Sequence, residues 1–192
     1  MAQAKSLSEI ELRRVLGDIT QHKHAARNRV MVLLTFYAGL RVGEVASLKW
    51  ADVFEVDGKI KDQLRLKPEQ TKGSEARVVM LSEKIQRELI EYAKTVSEKL
   101  KQPNNKPFIY SQQNRNGFNS NTLSQTFKVI FNRANIDGAT SHSGRRTFIT
   151  RLANKGIGVR VLMALAGHKN LATTQLYIDV NDEMLKLAVN LM

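Results

Sequence analysis

Apolar positions along this chain follow two periods, and the changes between them mark out its elements. From Leu7 to Ile19 the spacing is helical. Leu12, Val15, Leu16 and Ile19 share a face, Ser8 and Glu11 stand at capping-box spacing, and Leu7 can staple onto Leu12. A second helical run over Ala25–Tyr37 puts Val30, Leu33, Leu34 and Tyr37 on one face. The stretch AGLRVGEVASL (38–48) breaks that helix at Gly39 and starts a short one around Gly43–Leu48. The two glycines let the backbone turn sharply, which leaves Arg41 on a bend and off any helix face. Between Trp50 and Leu81 the period falls to two. QLRL (63–66) and ARVVML (76–81), separated by KPEQTKGSE, predict an antiparallel hairpin with Lys72 and Gly73 near its tip.

The helical period returns over about Glu83–Leu100, with Ile85, Leu89, Tyr92, Ala93 and Val96 as the buried stripe. QPNNKP (102–107) reads as a loop, FIY (108–110) as a short extended piece, and Ser111–Asn121 as a polar loop. Further helices are predicted over Thr122–Ala134, Arg146–Lys155, Val159–Ala166 and Thr173–Tyr177. The tail, Asn181–Met192, is predicted to form an amphipathic helix with Met184, Leu187, Ala188 and Leu191 on one side. The expected fold is mainly α with a small antiparallel β-sheet inserted in its first half, an α+β arrangement.

Composition narrows the function more than the fold. A chain of 192 residues with 42% apolar content can bury a real core as one domain. It has no apolar run long enough to span a bilayer, and its first residues lack the apolar core of a secretory signal. With no cysteine it can form neither disulfides nor thiolate metal sites, and a cytoplasmic location is expected. Four histidines among scattered acids argue against a zinc cluster, so neither metal nor cofactor is expected. Thirty Lys and Arg against eighteen Asp and Glu leave +12, which points to a polyanionic partner, nucleic acid above all. The basic residues are spread along the whole chain, so a folded binding face fits better than a basic arm.

Within that surplus, SHSGRR (141–146) gathers a histidine and two arginines. Three other basic stations fall in loops or at helix ends: Arg41, Lys72 and His168. Taken singly, each reads more simply as a surface or capping residue, and Tyr177 as a core aromatic. Taken together they suit phosphoryl transfer. Guanidiniums fit the non-bridging oxygens of a phosphodiester, and an imidazole beside them can donate a hydrogen bond or exchange a proton. A lysine at a hairpin tip can protonate a leaving alkoxide, and a tyrosine hydroxyl can attack phosphorus. Spacing alone does not bring these residues together.

The ordered series GLRVGEVASL, TKG, HSGRRTF and LAGHKNLATTQLY resembles the catalytic domain of the tyrosine recombinase (phage integrase) family over roughly Leu7–Val180. The nine-residue step from His168 to Tyr177, with Thr173 and Thr174 between, is especially similar. The resemblance implies that Arg41 and Arg145 clamp the scissile phosphate, Lys72 protonates the leaving 5′-oxygen and His142 assists proton transfer. His168 would hydrogen-bond the phosphate, Tyr177 would be the nucleophile that forms a 3′-phosphotyrosyl link, and Glu44 would brace the site. It further implies a double-stranded DNA substrate, strand exchange without metal or ATP, and a homotetramer on DNA that is a monomer when free.

The chain is then expected to be a single catalytic domain over 1–192, core about 7–180, with the 181–192 tail packing either on a neighbouring protomer or on its own domain. The separate N-terminal core-binding domain that most members carry is expected to be absent. Two positions depart from the family pattern. Gly144 replaces a common leucine and is expected to loosen Arg145, while Arg146 replaces a histidine and would contact neighbouring phosphate or brace the turn. The rival readings are a type IB topoisomerase-like enzyme and a DNA-binding regulator that keeps the fold without cutting.

Overall fold

The computed structural model describes residues 4–71, 74–97, 105–111, 116–178 and 182–190. Helix α1 (Glu9–Thr20) begins at the capping box. The Glu11 amide donates to Ser8 Oγ at 3.1 Å and the Ser8 amide donates to the Glu11 carboxylate at 2.8 Å. Leu7, Leu12, Val15 and Ile19 are all buried.

Helix α2 (Ala25–Tyr37) departs from the one-sided expectation. Val30, Met31, Val32, Leu33, Leu34 and Phe36 are all buried, while Tyr37 is only half-buried and accepts from Lys84 Nζ at 2.7 Å. A helix buried all round is central: α1, α3, α5 and α7 pack about it. The bend that follows uses Gly39 alone, at φ 63°. Gly43 lies within α3 (Val42–Ser47), where a Cβ would sit 3.3 Å from Ser120 Oγ, so its role is close packing against the helix that starts there.

A one-turn helix, α4 (Trp50–Val53), was not visible in the pattern. It leads into the hairpin, where β1 (Gln63–Leu66) pairs antiparallel with β2 (Arg77–Met80), Leu64 opposite Val79 and Leu66 opposite Arg77. Leu64, Leu66, Val79 and Leu81 face the core, and Val78 and Met80 face outward. Lys72 and Gly73 lie outside the described residues. Helix α5 (Glu83–Ser97) buries Ile85, Leu89, Tyr92 and Ala93; its expected continuation to Leu100 also lies outside them. Phe108 and Ile109 of the FIY segment are buried, and the Phe108 amide donates to the Leu48 carbonyl at 2.7 Å.

Helix α6 (Ser120–Arg133) starts two residues earlier than expected, because Asn119 caps it through the Thr122 amide at 2.8 Å. Helix α7 (Ser143–Asn154) starts three residues early, and Gly144 explains its position. A Cβ there would lie 2.1 Å from Thr35 Oγ1 of α2, so the absent side chain lets the two helices meet closely. The expected loosening of Arg145 is thus overturned: the arginine is 5% exposed and hydrogen-bonded on two sides.

Helix α8 (Val159–Ala166) ends on Gly167 in the left-handed region at φ 59°. Helix α9 (Leu171–Gln175) is capped by Asn170, which accepts from the Ala172 amide at 2.9 Å. The cap shifts that helix two residues ahead of the expected Thr173–Tyr177, so Tyr177 stands just past its end. The tail carries α10 (Asp182–Val189), with Leu185, Ala188 and Val189 exposed; Met184, Leu187 and Leu191 fall where side chains are not described. The described residues thus form a mainly helical domain with one two-stranded antiparallel sheet. No described helix is long and apolar enough to cross a membrane.

Because Gly144 sits against Thr35 and the Phe36 amide, Gly144→Ala is expected to lower folding stability by about 1–3 kcal/mol through overpacking. Urea unfolding checks this, and an unchanged midpoint would show that α2 and α7 can part at no cost.

Candidate functional site

Four distant stretches of chain meet around one open cavity of about 670 Å³. The bend before α3 contributes Arg41, the start of α7 contributes His142, Arg145 and Arg146, and the turn after α8 contributes His168. The segment after α9 contributes Tyr177, with Thr140, Thr173 and Leu176 completing much of the wall. Among the described residues that line it, none is acidic. The structure therefore brings together every candidate singled out from the sequence except Lys72, which lies outside the described residues, and Glu44, which stands behind Arg41.

Two of the arginines are held by main-chain oxygens. Arg145 donates through Nη1 to the Gly39 carbonyl at 2.7 Å and through Nη2 to the Ala166 carbonyl. Arg41, the residue capping α3, donates through Nη1 to Glu44 Oε1 at 2.9 Å and through Nη2 to the Gly167 carbonyl at 3.1 Å. Glu44 is 1% exposed, and its other oxygen accepts the Arg41 amide at 2.7 Å. His168 Nδ1 lies 3.0 Å from the buried Thr174 hydroxyl, and its ring stacks on that of Tyr177 at 5.7 Å between centroids. The Arg146 guanidinium lies 5.3 Å from the Tyr177 ring centroid, within cation–π range. His142 sits exposed at the cap of α7.

Sequence reasoning missed Arg77. It begins β2, its side chain is 9% exposed, it donates to the Ala166 carbonyl that Arg145 also uses, and it stands 3.3 Å from Glu44 Oε2. A signal was present in the alternation: Arg77 shares its parity with Val79 and Leu81, both buried, so it had to face inward. Thr174, named from the sequence only within the step from His168 to Tyr177, is fully buried beneath His168.

Electrostatically the site is short of negative charge. Burial pulls Arg145 down to about 9, and the neighbouring Arg41 and Arg77 add to the effect while Glu44 offsets part of it. Burial first, then Arg145, Arg41 and Arg77, lower His168 from its ordinary 6.5 to about 4. Arg145 therefore stays charged and His168 stays neutral at neutral pH. Such a cavity suits an anion. An incoming phosphodiester would meet forked donors already fixed in place, a neutral imidazole and a tyrosine hydroxyl at one edge. Among the described residues, no group of three or more His, Asp or Glu side chains is arranged to hold a metal ion.

Comparison with known proteins gives one consistent result. The model of the phage integrase family matches residues 5–184. A curated relative, tyrosine recombinase XerA of Pyrococcus horikoshii, is 30% identical over 189 residues that cover 96% of this chain and 60% of the relative. The crystal structure of a XerA recombinase superposes with a TM-score of 0.75 at 25% identity, covering 99% of this chain and 64% of that one. The Tn1549 transposon integrase, solved in complex with circular intermediate DNA, matches the fold at a TM-score of 0.72 and 18% identity, over 99% of this chain and 67% of that one. The chain thus spans about 60% of the length of the curated relative it matches.

The low His168 value sets an expected pH dependence. The unfolded chain binds the proton near 6.5 and the folded one only near 4, so the neutral ring contributes stability that is complete above pH 6.5 and lost as pH falls towards 4. His168→Gln should remove that part of the acid-side loss. Parallel urea melts from pH 7 to pH 4 check it, and equal slopes for both proteins would contradict it.

Proposed function

This chain belongs to the phage integrase family, and on that premise we propose that it is a site-specific DNA recombinase that cleaves and rejoins strands through a 3′-phosphotyrosyl intermediate. The observation that carries this reading is the cavity that Arg41, Arg145, His168 and Tyr177 line together, with no described acid among the lining residues. The relatives named as recombinases and the DNA held by the transposon integrase support the same substrate.

In this reading Arg41 and Arg145 hold the non-bridging oxygens of the scissile phosphate and stabilise the charge that builds on them. The Tyr177 oxygen attacks phosphorus, giving up its proton with assistance from His142. The P–O5′ bond breaks, Lys72 protonates the departing oxygen, and a free 5′-hydroxyl remains opposite the phosphotyrosyl 3′-end. A second 5′-hydroxyl then attacks the same phosphorus and releases the tyrosine. Bond number is conserved in each transfer, so no ATP is consumed, and the arginines supply the positive charge that a metal would otherwise bring. His168, neutral and seated on Thr174, hydrogen-bonds the phosphate. Strand exchange proceeds in a homotetramer, with α10 and its exposed Leu185 and Val189 packing on a neighbour.

Nicked duplexes drawn from the DNA flanking the gene test the reading. The wild type should give an SDS-resistant protein–DNA band that survives EDTA, and Tyr177→Phe should shift the same DNA without any covalent band. Arg145→Ala should slow adduct formation by about 100- to 1,000-fold. Binding by the wild type should weaken steeply between about 50 and 200 mM salt as counterions are released. A shifted band with no adduct in the wild type would leave a DNA-binding protein that does not cut.

A further inference from the structure

Three guanidiniums and one carboxylate form a closed circuit in and behind the wall of the cavity. Arg41 binds Glu44 and the Gly167 carbonyl, Arg145 binds the Ala166 carbonyl, and Arg77 binds that same Ala166 carbonyl while standing 3.3 Å from Glu44. Arg77 is thus the link that joins the Arg41–Glu44 pair to the oxygen anchoring Arg145. Arg77 does not line the cavity that holds Tyr177; it faces the adjoining one, of about 420 Å³, together with Thr71, Glu75 and Lys169.

The fold is built around this contact. A Cβ at position 167 would lie 2.7 Å from Arg77 Nη1 and 2.8 Å from its Cδ, so the left-handed glycine that ends α8 also leaves room for the guanidinium. Beside it, Lys169 and Glu75 pair at 2.6 Å, a second tie between the hairpin and the turn after α8. A fork suits this place better than a point charge, since it must reach a carbonyl and a carboxylate at once.

We propose that Arg77 is a positioning residue: it fixes Glu44 and the Ala166 carbonyl relative to each other, so that Arg41 and Arg145 are aimed at one and the same phosphate. The inference rests on the reading of this cavity as the phosphate site of a recombinase. It assigns Arg77 no contact with substrate.

The first test uses inorganic phosphate and the full chain, without DNA. In the wild type the Nε–Hε signals of Arg41 and Arg145 should move on one common binding curve. In Arg77→Gln the two curves should separate or weaken, and the His168 ring should titrate at higher pH because one of the cations that depress it is gone. Arg77→Lys keeps the charge and most of the stem, guards against misfolding, and should leave His168 near its wild-type titration while still failing to restore the common curve. A common curve retained in Arg77→Gln, or restored by lysine, overturns the proposal.

The second test is adduct formation on nicked DNA. Arg77→Gln should lose about 100-fold in single-turnover rate, the scale of a small misplacement of reacting groups, with DNA affinity little changed. If the wild type shows the common phosphate curve and Arg77→Gln loses it, yet no Tyr177-dependent adduct forms, the recombinase reading fails while the positioning role stands.

Discussion

Glu44 lies 1% exposed among cations, and its two oxygens accept the Arg41 amide and guanidinium while facing Arg77. Burying one carboxylate is unfavourable unless it is paired and hydrogen-bonded, and burying guanidiniums carries the same penalty. Here each helps to hold the others. The balance is deliberately uneven, however: three guanidiniums share one carboxylate, and main-chain carbonyls at Gly39, Ala166 and Gly167 make up the remaining partners. Carbonyls orient a cation without cancelling its charge. Burial first and that surplus second lower Arg145 and His168. A site left positive in this way gains most when an anion enters, and gains nothing comparable from a neutral ligand.

The rest of the fold keeps that circuit in register. Helix α2 is buried on every side and acts as the fixed post. Gly144 lets α7 press against it at Thr35, and Arg145 is then aimed back at the Gly39 carbonyl beyond the end of α2. Gly167 ends α8 so that consecutive carbonyls, those of Ala166 and Gly167, point towards all three arginines. The same turn presents His168 to Thr174 and Tyr177, so the tyrosine ring and the arginines are anchored to one short piece of backbone. Geometry of this kind is what a phosphoryl-transfer site requires, because positioning and charge supply most of its rate.

Much of this was legible in the chain. The capping box at Ser8 and Glu11, the bounds of α2 and α8 and the two strands all follow from period and end signals, and they stand where those signals put them. The family motifs named Arg41, His142, Arg145, Arg146, His168 and Tyr177, which line one cavity. What escaped has physical causes. Helix α4 is a single turn, too short to carry a period. Helix α7 begins inside SHSG, whose small polar residues read as loop until the close approach of Thr35 is seen. Arg77 was hidden because a charged residue in a strand suggests an outward face. Only its parity with Val79, and a partner carbonyl 89 positions away, reveal that it points in.

In the proposed function this positively charged cavity presents a DNA phosphate to Tyr177. The most direct measurement is to trap the protein on a nicked duplex, digest both components, and locate the remaining nucleotide by mass spectrometry. A peptide carrying Tyr177 with a 3′-linked nucleotide phosphate on that residue is the expected product. A nucleotide on any other side chain, or one linked through a 5′-phosphate, would contradict it.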